Sequence, residues 1–351
     1  MNALTILRQL FRKLTKDEVA SILNERSMLP NKYKKKKELE NYFLALSNII
    51  EPEEVKDLVE MAVLKKTKGL SAYTHKLVSL NGIDKQDISK LMKDFQKKDH
   101  PFTDIYTFTL TVDSLQDSVL TLTFRIKEYA EFWKTGERNL GNLSAIYNCP
   151  VVINMNSKVL TIFSGDDTIH GLIDRYIGEI MKLPIQVYRI MEKTSALTWN
   201  DNASYKTTLF LDFIYNRLKD AGLSSSFSKL KFKIDNSDAE DVTISGNGNN
   251  LINYELACEY ISLGKDILQF KINASYEKEN FSCYFSLKGK NLDVLKIVVN
   301  DLQDDKVKQK VIEFLQKEYI EMCNEGIKNL KNIQDRLQQI YRKFVEKNTP
   351  Y

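Results

Sequence analysis

Histidine is scarce in this chain. His75, His100 and His170 are the only three in 351 residues, and they are far apart in sequence. Cys149, Cys258, Cys283 and Cys323 are equally scattered, with no paired spacing. That distribution argues against a zinc site built from Cys and His and leaves only a carboxylate-bound metal open. It also reads as reduced, mostly buried thiols of an intracellular protein, cytoplasmic or associated with a nucleoid or nucleus. No apolar run approaches the length needed to cross a bilayer, so no membrane partner is expected. The first residues, MNALTILRQLFRKL, are amphipathic and lack the continuous apolar core of a signal peptide. No Ser-His-Asp or Cys-His set has local support, and no cofactor is expected.

Positive charge is present and unevenly placed. Residues 1–100 hold 20 Lys+Arg against 14 Asp+Glu, and the remainder holds 31 against 33. The excess is sharpest at Lys32 and Lys34 to Lys37, with Tyr33 inside the run. Five ammonium groups this close repel one another unless something negative faces them, and a nucleic-acid backbone is the commonest such partner. Arg12, Lys13, Lys65, Lys66 and Lys68 widen the patch if the helices fold them onto one side. The bland alternative is a solvated charge run at a helix start.

The periodicities predict an α+β protein. Residues 1–100 read as an all-helical, basic domain: Leu4, Leu7, Leu10, Phe11 and Leu14 recur at helical spacing. Thr15 with Glu18 forms a capping-box pattern for a second helix. A third helix is expected over about 36–48, a fourth from Pro52, a fifth over Leu70, Tyr73, Leu77 and Leu80, and a sixth from Asp84. A central α+β domain is expected over 101–222, with hairpins at 103–128 and 151–163, a helix at 168–181, a strand at 184–191, and a helix at 206–220 ending at Gly222. A second α+β region follows over 223–303: strands at 230–234 and 242–244, a helix from Asn250 to Leu263, a hairpin over 267–288, and a helix at 291–300. Residues 304–351 form a helical tail. Its heptad seam (Ile327, Leu330, Gln334, Leu337, Tyr341, Phe344) fits either a homodimeric coiled coil or a helix packed on its own chain.

The segment Leu14 to Leu46, LTKDEVASILNERSMLPNKYKKKKELENYFLAL, resembles the SAP family and its helix–extended–helix relatives, which include the N-terminal module of the Rho terminator protein. Leu14, Val19, Leu23, Leu29, Pro30, Lys37, Glu38, Leu39 and Phe43 occupy the pattern's places. The connection Asn31-Lys32-Tyr33-Lys34 is longer than the family's and lacks its glycine. The resemblance implies a DNA-binding element with Lys32 and Lys34 to Lys37 facing the duplex. In layout alone, a helical domain followed by hairpin-and-helix units is similar to centromere protein N and its fungal relatives.

Other motifs have plainer readings. Ser164-Gly165-Asp166-Asp167 contains the Gly-Asp-Asp of viral polymerases, but here it joins a strand to a helix, where the acids cap the helix. Tyr176-Ile177-Gly178 falls on a helix, unlike its nuclease counterpart. Ser245 to Asn250 is glycine-rich without a phosphate-loop lysine. Trp133 and Trp199 sit beside polar loops and stack on a base or on a core rim.

The preferred function is non-enzymatic binding of DNA, or RNA, by the lysine cluster, with the β regions or tail engaging a protein partner. The alternatives are a metal-dependent phosphodiester enzyme using Asp166 and Asp167, and a protein-interaction scaffold. Five lysines on phosphates imply a salt slope of about −4.5.

Overall fold

The computed structural model describes residues 3–51, 53–55, 58–59, 70–79, 94–128, 145–190, 203–236, 239–246, 251–276, 279–289 and 291–348. The chain divides into two compact units, each made of two segments. Unit 1 comprises 1–66 and 81–151, and unit 2 comprises 67–80 and 152–351. Boundaries drawn at 100, 222 and 303 do not coincide with this division. The expected helices from Pro52 and Asp84 lie largely outside the described residues.

Unit 1 begins with α1 (Ala3–Lys13), α2 (Lys16–Glu25) and α3 (Glu40–Ala45), the last preceded by a 3₁₀ turn at Lys36–Leu39. Their apolar stripes close on one core containing Leu7, Leu10, Leu14, Val19, Leu23, Leu39 and Phe43. The same unit carries β2 (Asp99–Pro101), β3 (Tyr106–Gln116), β4 (Val119–Glu128) and the first part of β5 (Ala145–Asn154). Alternation along β3 and β4 buries Phe108, Leu110, Leu122, Phe124 and Ile126, as the hairpin reading requires.

Unit 2 is an antiparallel sheet with helices packed on it. Its strands are β1 (Leu70–Leu77), β6 (Val159–Phe163), β7 (Ile185–Gln186), β8 (Ser225–Asn236), β9 (Ala239–Ser245), β10 (Ile267–Tyr276), β11 (Glu279–Lys288) and β12 (Val294–Asn300). They run in the order β6-β1-β12-β11-β10-β8-β9, with β7 also on β1. The hairpin expected over 267–288 is there, joined at Tyr276–Glu279.

Two helices expected from the sequence are strands. Leu70, Tyr73 and Leu77 mimic helical spacing, yet Leu70–Leu77 is β1, paired on one side with β6 and on the other with β12. Ser71, Ala72, Tyr73, Thr74 and His75 are all buried. A strand covered on both faces has no alternation to display, so spacing alone misreads it. The run Val294–Asn300 is likewise β12, between β1 and β11. It is short and β-branched (Ile297, Val298, Val299), which favours a strand over a helix.

The helices of unit 2 are α4 (Asp167–Arg175, continued by a π turn to Ile180), α5 (Tyr205–Asp212, with a π turn at Phe213–Arg217), α6 (Leu218–Asp220), α7 (Glu255–Ser262), α8 (Asp305–Glu325) and α9 (Leu330–Asn348). Gly222 closes α6 at φ +89°, a conformation that suits glycine, as expected. The tail is thus two helices. α8 buries Val311, Ile312, Leu315, Tyr319 and Met322. α9 turns Ile333, Leu337 and Ile340 inward and packs on α7. Within α9 the inward face shares Leu337 with the expected seam, while Leu330 and Tyr341 of that seam are exposed, so this helix packs on its own chain through a different stripe.

A buried ion cluster fixes the joint between α8 and α9. Asp212 is fully buried and accepts hydrogen bonds from the backbone N–H of Lys328 (2.8 Å) and Asn329 (3.1 Å) and from Asn216 Nδ2 (2.7 Å). Arg217, 1% exposed, lies 3.7 Å from Asp212, pairs with Glu325 at 3.1 Å, and donates to the Gly326 carbonyl at 2.8 Å. Breaking one side of such a pair leaves a buried charge without its partner. Asp212→Ala should therefore cost about 3–5 kcal/mol in chemical denaturation and speed amide exchange in α9. A loss below about 1 kcal/mol would show that the cluster is not what holds the joint.

Candidate nucleic-acid interface

The basic run is positioned by the helices around it. Thr15 starts α2 with a complete capping box: its hydroxyl accepts from Glu18 N–H (3.3 Å), and Glu18 Oε2 accepts from Thr15 N–H (2.7 Å). Arg26 ends α2 by donating to the Ile22 carbonyl (3.2 Å) while pairing with Glu54 (3.1 Å). From there to Lys35 the backbone is non-helical, and the 3₁₀ turn then leads into α3. Leu29 and Tyr33 pack against the same core as the helices. The course is helix, non-helical connection, helix.

This path sorts the lysines. Lys32, Lys34, Lys35 and Lys37 are exposed, and among the described residues no carboxylate is within ion-pair distance of them. Lys36 differs. It is half-buried, with Nζ 4.7 Å from the centre of the Phe11 ring. Burial lowers its pKa, while the charges of Glu18 and Glu40 act the other way. Lys36 therefore lies against α1, where the other four lysines of the run do not. Arg12 is exposed on α1, one residue from Phe11. Tyr33 is half-buried with the Lys16 ammonium 5.7 Å from its ring centre, a neighbour that sequence spacing does not announce. Lys13 lies on α1, but its side chain is outside the described atoms, and Lys65, Lys66 and Lys68 are outside the described residues.

The acidic pair of unit 2 has a structural use. Asp166 caps α4, its Oδ1 accepting from the N–H groups of Thr168 (2.8 Å) and Ile169 (3.3 Å). Asp167 accepts from the Tyr73 hydroxyl, Lys296 Nζ (2.7 Å) and Lys288 Nζ (2.9 Å). Burial alone would raise its pKa, but these three donors hold it well below the usual carboxylate range. A cation at Asp167 would have to displace two ammonium groups, so the residues do not fit a metal there. Among the described residues, no group of three or more His, Cys, Asp or Glu is placed to hold a metal ion. Tyr176-Ile177-Gly178 lies on the π turn after α4, on a helix as expected. Trp133, Trp199 and Asn247 to Asn250 lie outside the described residues.

Two of the three histidines meet. His75 on β1 and His170 on α4 touch through their Nε2 atoms at 2.8 Å, and both are buried. His170 stacks on Tyr73 with ring centres 3.7 Å apart, and His75 Nδ1 lies 3.5 Å from Asp174. Partners 95 residues apart leave no trace in local sequence. Desolvation lowers the pKa of His75 to about 4. His170 falls to about 3, through desolvation first and His75 next, with Lys296 adding to the effect and Asp167 opposing it. Burial raises Asp174.

Both imidazoles are thus held neutral in the fold. Their contribution to stability is complete above their unfolded pKa of about 6.5 and is lost as pH falls from there toward 4. The slope is about 1.4 kcal/mol per pH unit for each histidine, partly offset by Asp174, whose raised pKa acts in the opposite sense. Urea titrations from pH 8 to 4 should show that fall. The double variant His75→Asn/His170→Asn should flatten it; an unchanged slope would show that the pair does not carry it.

The sequence matches no protein-family model and no curated protein. Among solved structures, the chain is similar to DynU16, from the dynemicin biosynthetic locus, at 10% identity over 74% of this chain and 98% of that one, with a TM-score of 0.19. It is also similar to the di-domain ARO/CYC StfQ of the steffimycin biosynthetic pathway, at 7% identity over 79% of this chain and 95% of that one, with a TM-score of 0.14. Superpositions of that quality assign neither fold nor activity.

Proposed function

We propose that this protein binds DNA without acting on it chemically, gripping phosphates with Lys32, Lys34, Lys35 and Lys37. The observation that carries this reading is four exposed ammonium groups with no carboxylate answering them among the described residues. They stand on a connection whose two flanking helices share one core, so the charge is displayed on a fixed frame. Arg12, exposed on α1, is assigned to the same grip as part of the proposal. The places that carry the SAP resemblance support the same reading: Leu14, Val19, Leu23, Leu39 and Phe43 are all in that core.

Lysine contacts to phosphate carry no sequence information, so binding is expected to be indifferent to base order. A protein partner is assigned to the β regions or tail as part of the same proposal. Four buried cysteines outside any disulfide fit a reducing compartment inside the cell. No described helix is long and apolar enough to cross a membrane.

Titration of a random-sequence duplex against salt tests the proposal. With Lys36 lying against α1, four lysines give a slope of about −3.6, and affinity falls on the order of 10²-fold between 50 and 200 mM salt. The triple variant Lys34→Ala/Lys35→Ala/Lys37→Ala should reduce the slope to about −0.9. Lys36→Met should leave the slope unchanged and lower Tm. Duplex binding with a slope indifferent to the triple variant would overturn the assignment, as would no binding at low salt. Running duplex RNA in parallel decides which nucleic acid is preferred.

A further inference from the structure

The unit 2 sheet has one apolar face and one polar face, and the register shows how cleanly they separate. Leu230, Phe270, Phe285, Ile297 and Ala72 stand side by side across β8, β10, β11, β12 and β1, all in the core. One residue along each strand, the side chains point the other way. There, Lys229, Lys271 and Tyr284 form one row on β8, β10 and β11. The next row outward holds Lys231 and Gln269, and the row on the other side holds Ser226, Asn273 and Ser282.

One pair in this array is unfavourable as it stands. Lys229 and Lys271 are directly opposite each other on neighbouring antiparallel strands. Like charges in that position repel. Elsewhere on the face the protein answers its lysines: Lys231 pairs with Asp241 at 2.6 Å, and Lys288 and Lys296 pair with Asp167. Among the described residues, no carboxylate is within ion-pair distance of Lys229 or Lys271. Lys271 instead leans over the Tyr284 ring, 5.3 Å from its centre. Beside this pair opens a cleft of about 570 Å³, lined by Ser226, Lys271, Asn273, Ser282 and Asp301.

We propose that this face binds single-stranded nucleic acid. The Lys229–Lys271 pair meets the phosphates and is relieved of its repulsion by them. Tyr284, half-exposed in the same row, supplies the aromatic platform on which a base stacks once the Lys271 side chain swings to phosphate. Asn273 and Ser226 offer hydrogen bonds to base edges in the cleft. A sheet that presents an aromatic ring flanked by cations is a general solution for unpaired bases, because it needs the base faces that a duplex conceals. The site is in unit 2 and shares no residue with the lysine run of unit 1, so either reading stands or falls without the other.

Fluorescence anisotropy of the full chain with labelled 20-nucleotide oligo(dT) and oligo(U) at low salt tests the proposal, with a 20-base-pair duplex alongside. Lys229→Glu/Lys271→Glu should weaken single-strand binding at least tenfold and leave duplex affinity within about twofold. Tyr284→Ala should weaken it about tenfold, and Tyr284→Phe should restore it. Lys271→Glu alone places opposite charges across the strands, so it should raise Tm while reducing binding; this separates loss of a ligand contact from loss of fold. The Lys34→Ala/Lys35→Ala/Lys37→Ala variant should keep its single-strand affinity. Absence of binding to either oligonucleotide overturns the proposal. So does binding that the double lysine variant leaves intact, or that falls equally on duplex and single strand. The oligo(dT) and oligo(U) arms distinguish DNA from RNA as the strand bound.

Discussion

Covering both faces of strand Leu70–Leu77 forces every polar group on it to find a partner inside the protein. On one face, Tyr73 and His75 reach α4, where Asp167, His170 and Asp174 meet them. On the other, Thr74 accepts from Gln316 of α8, which also donates to Thr161 of β6. The strand thus ties a helix to each side of the unit 2 sheet through directional bonds, with apolar packing around them. A buried polar network of this kind specifies one arrangement because each alternative leaves a donor or acceptor unpaired at a cost of about 1–3 kcal/mol.

The same accounting separates two kinds of lysine. Lys288 and Lys296 converge on Asp167, Lys231 has Asp241, and the buried Arg217 has Asp212 and Glu325. These cations are structural: their charge is consumed by the fold. Lys32, Lys34, Lys35 and Lys37 in unit 1, and Lys229 with Lys271 in unit 2, have no such answer among the described residues. In each set the cations are held close together by ordered backbone, against their mutual repulsion. The resemblance of these sets is electrostatic, and their geometry differs. One is a connection between helices that carries point charges alone. The other is a pleated surface that carries an aromatic ring and an amide beside its charges.

Histidine scarcity conceals a meeting that distance in sequence made invisible. His75 and His170 each looked isolated, and no local pattern paired them. The fold brings them to hydrogen-bond distance only because β1 lies next to β6 and α4 crosses that part of the sheet. Asp166 was different: a short polar residue between a strand and a helix has a local use, and capping is local chemistry. The Thr15–Glu18 capping box, the hairpins at 106–128 and 267–288 and the turn at Gly222 were legible for the same reason. Each depends on residues within a few positions of one another.

The sequence by itself determined the α+β character, the helical start, the hairpins whose alternation reports one buried face, and the concentration of positive charge at 32–37. Those features depend on period and on neighbours. Only the tertiary structure decided that Leu70–Leu77 and Val294–Asn300 are strands: the first is buried on both faces and loses the alternation that would announce it, and the second is a short apolar run whose spacing does not choose between strand and helix. It alone decided that Lys36 lies against α1 while Lys32, Lys34, Lys35 and Lys37 project, because packing brings the Phe11 ring to Lys36. It alone set Lys229 opposite Lys271, because strand register is fixed by which face of each strand the core accepts.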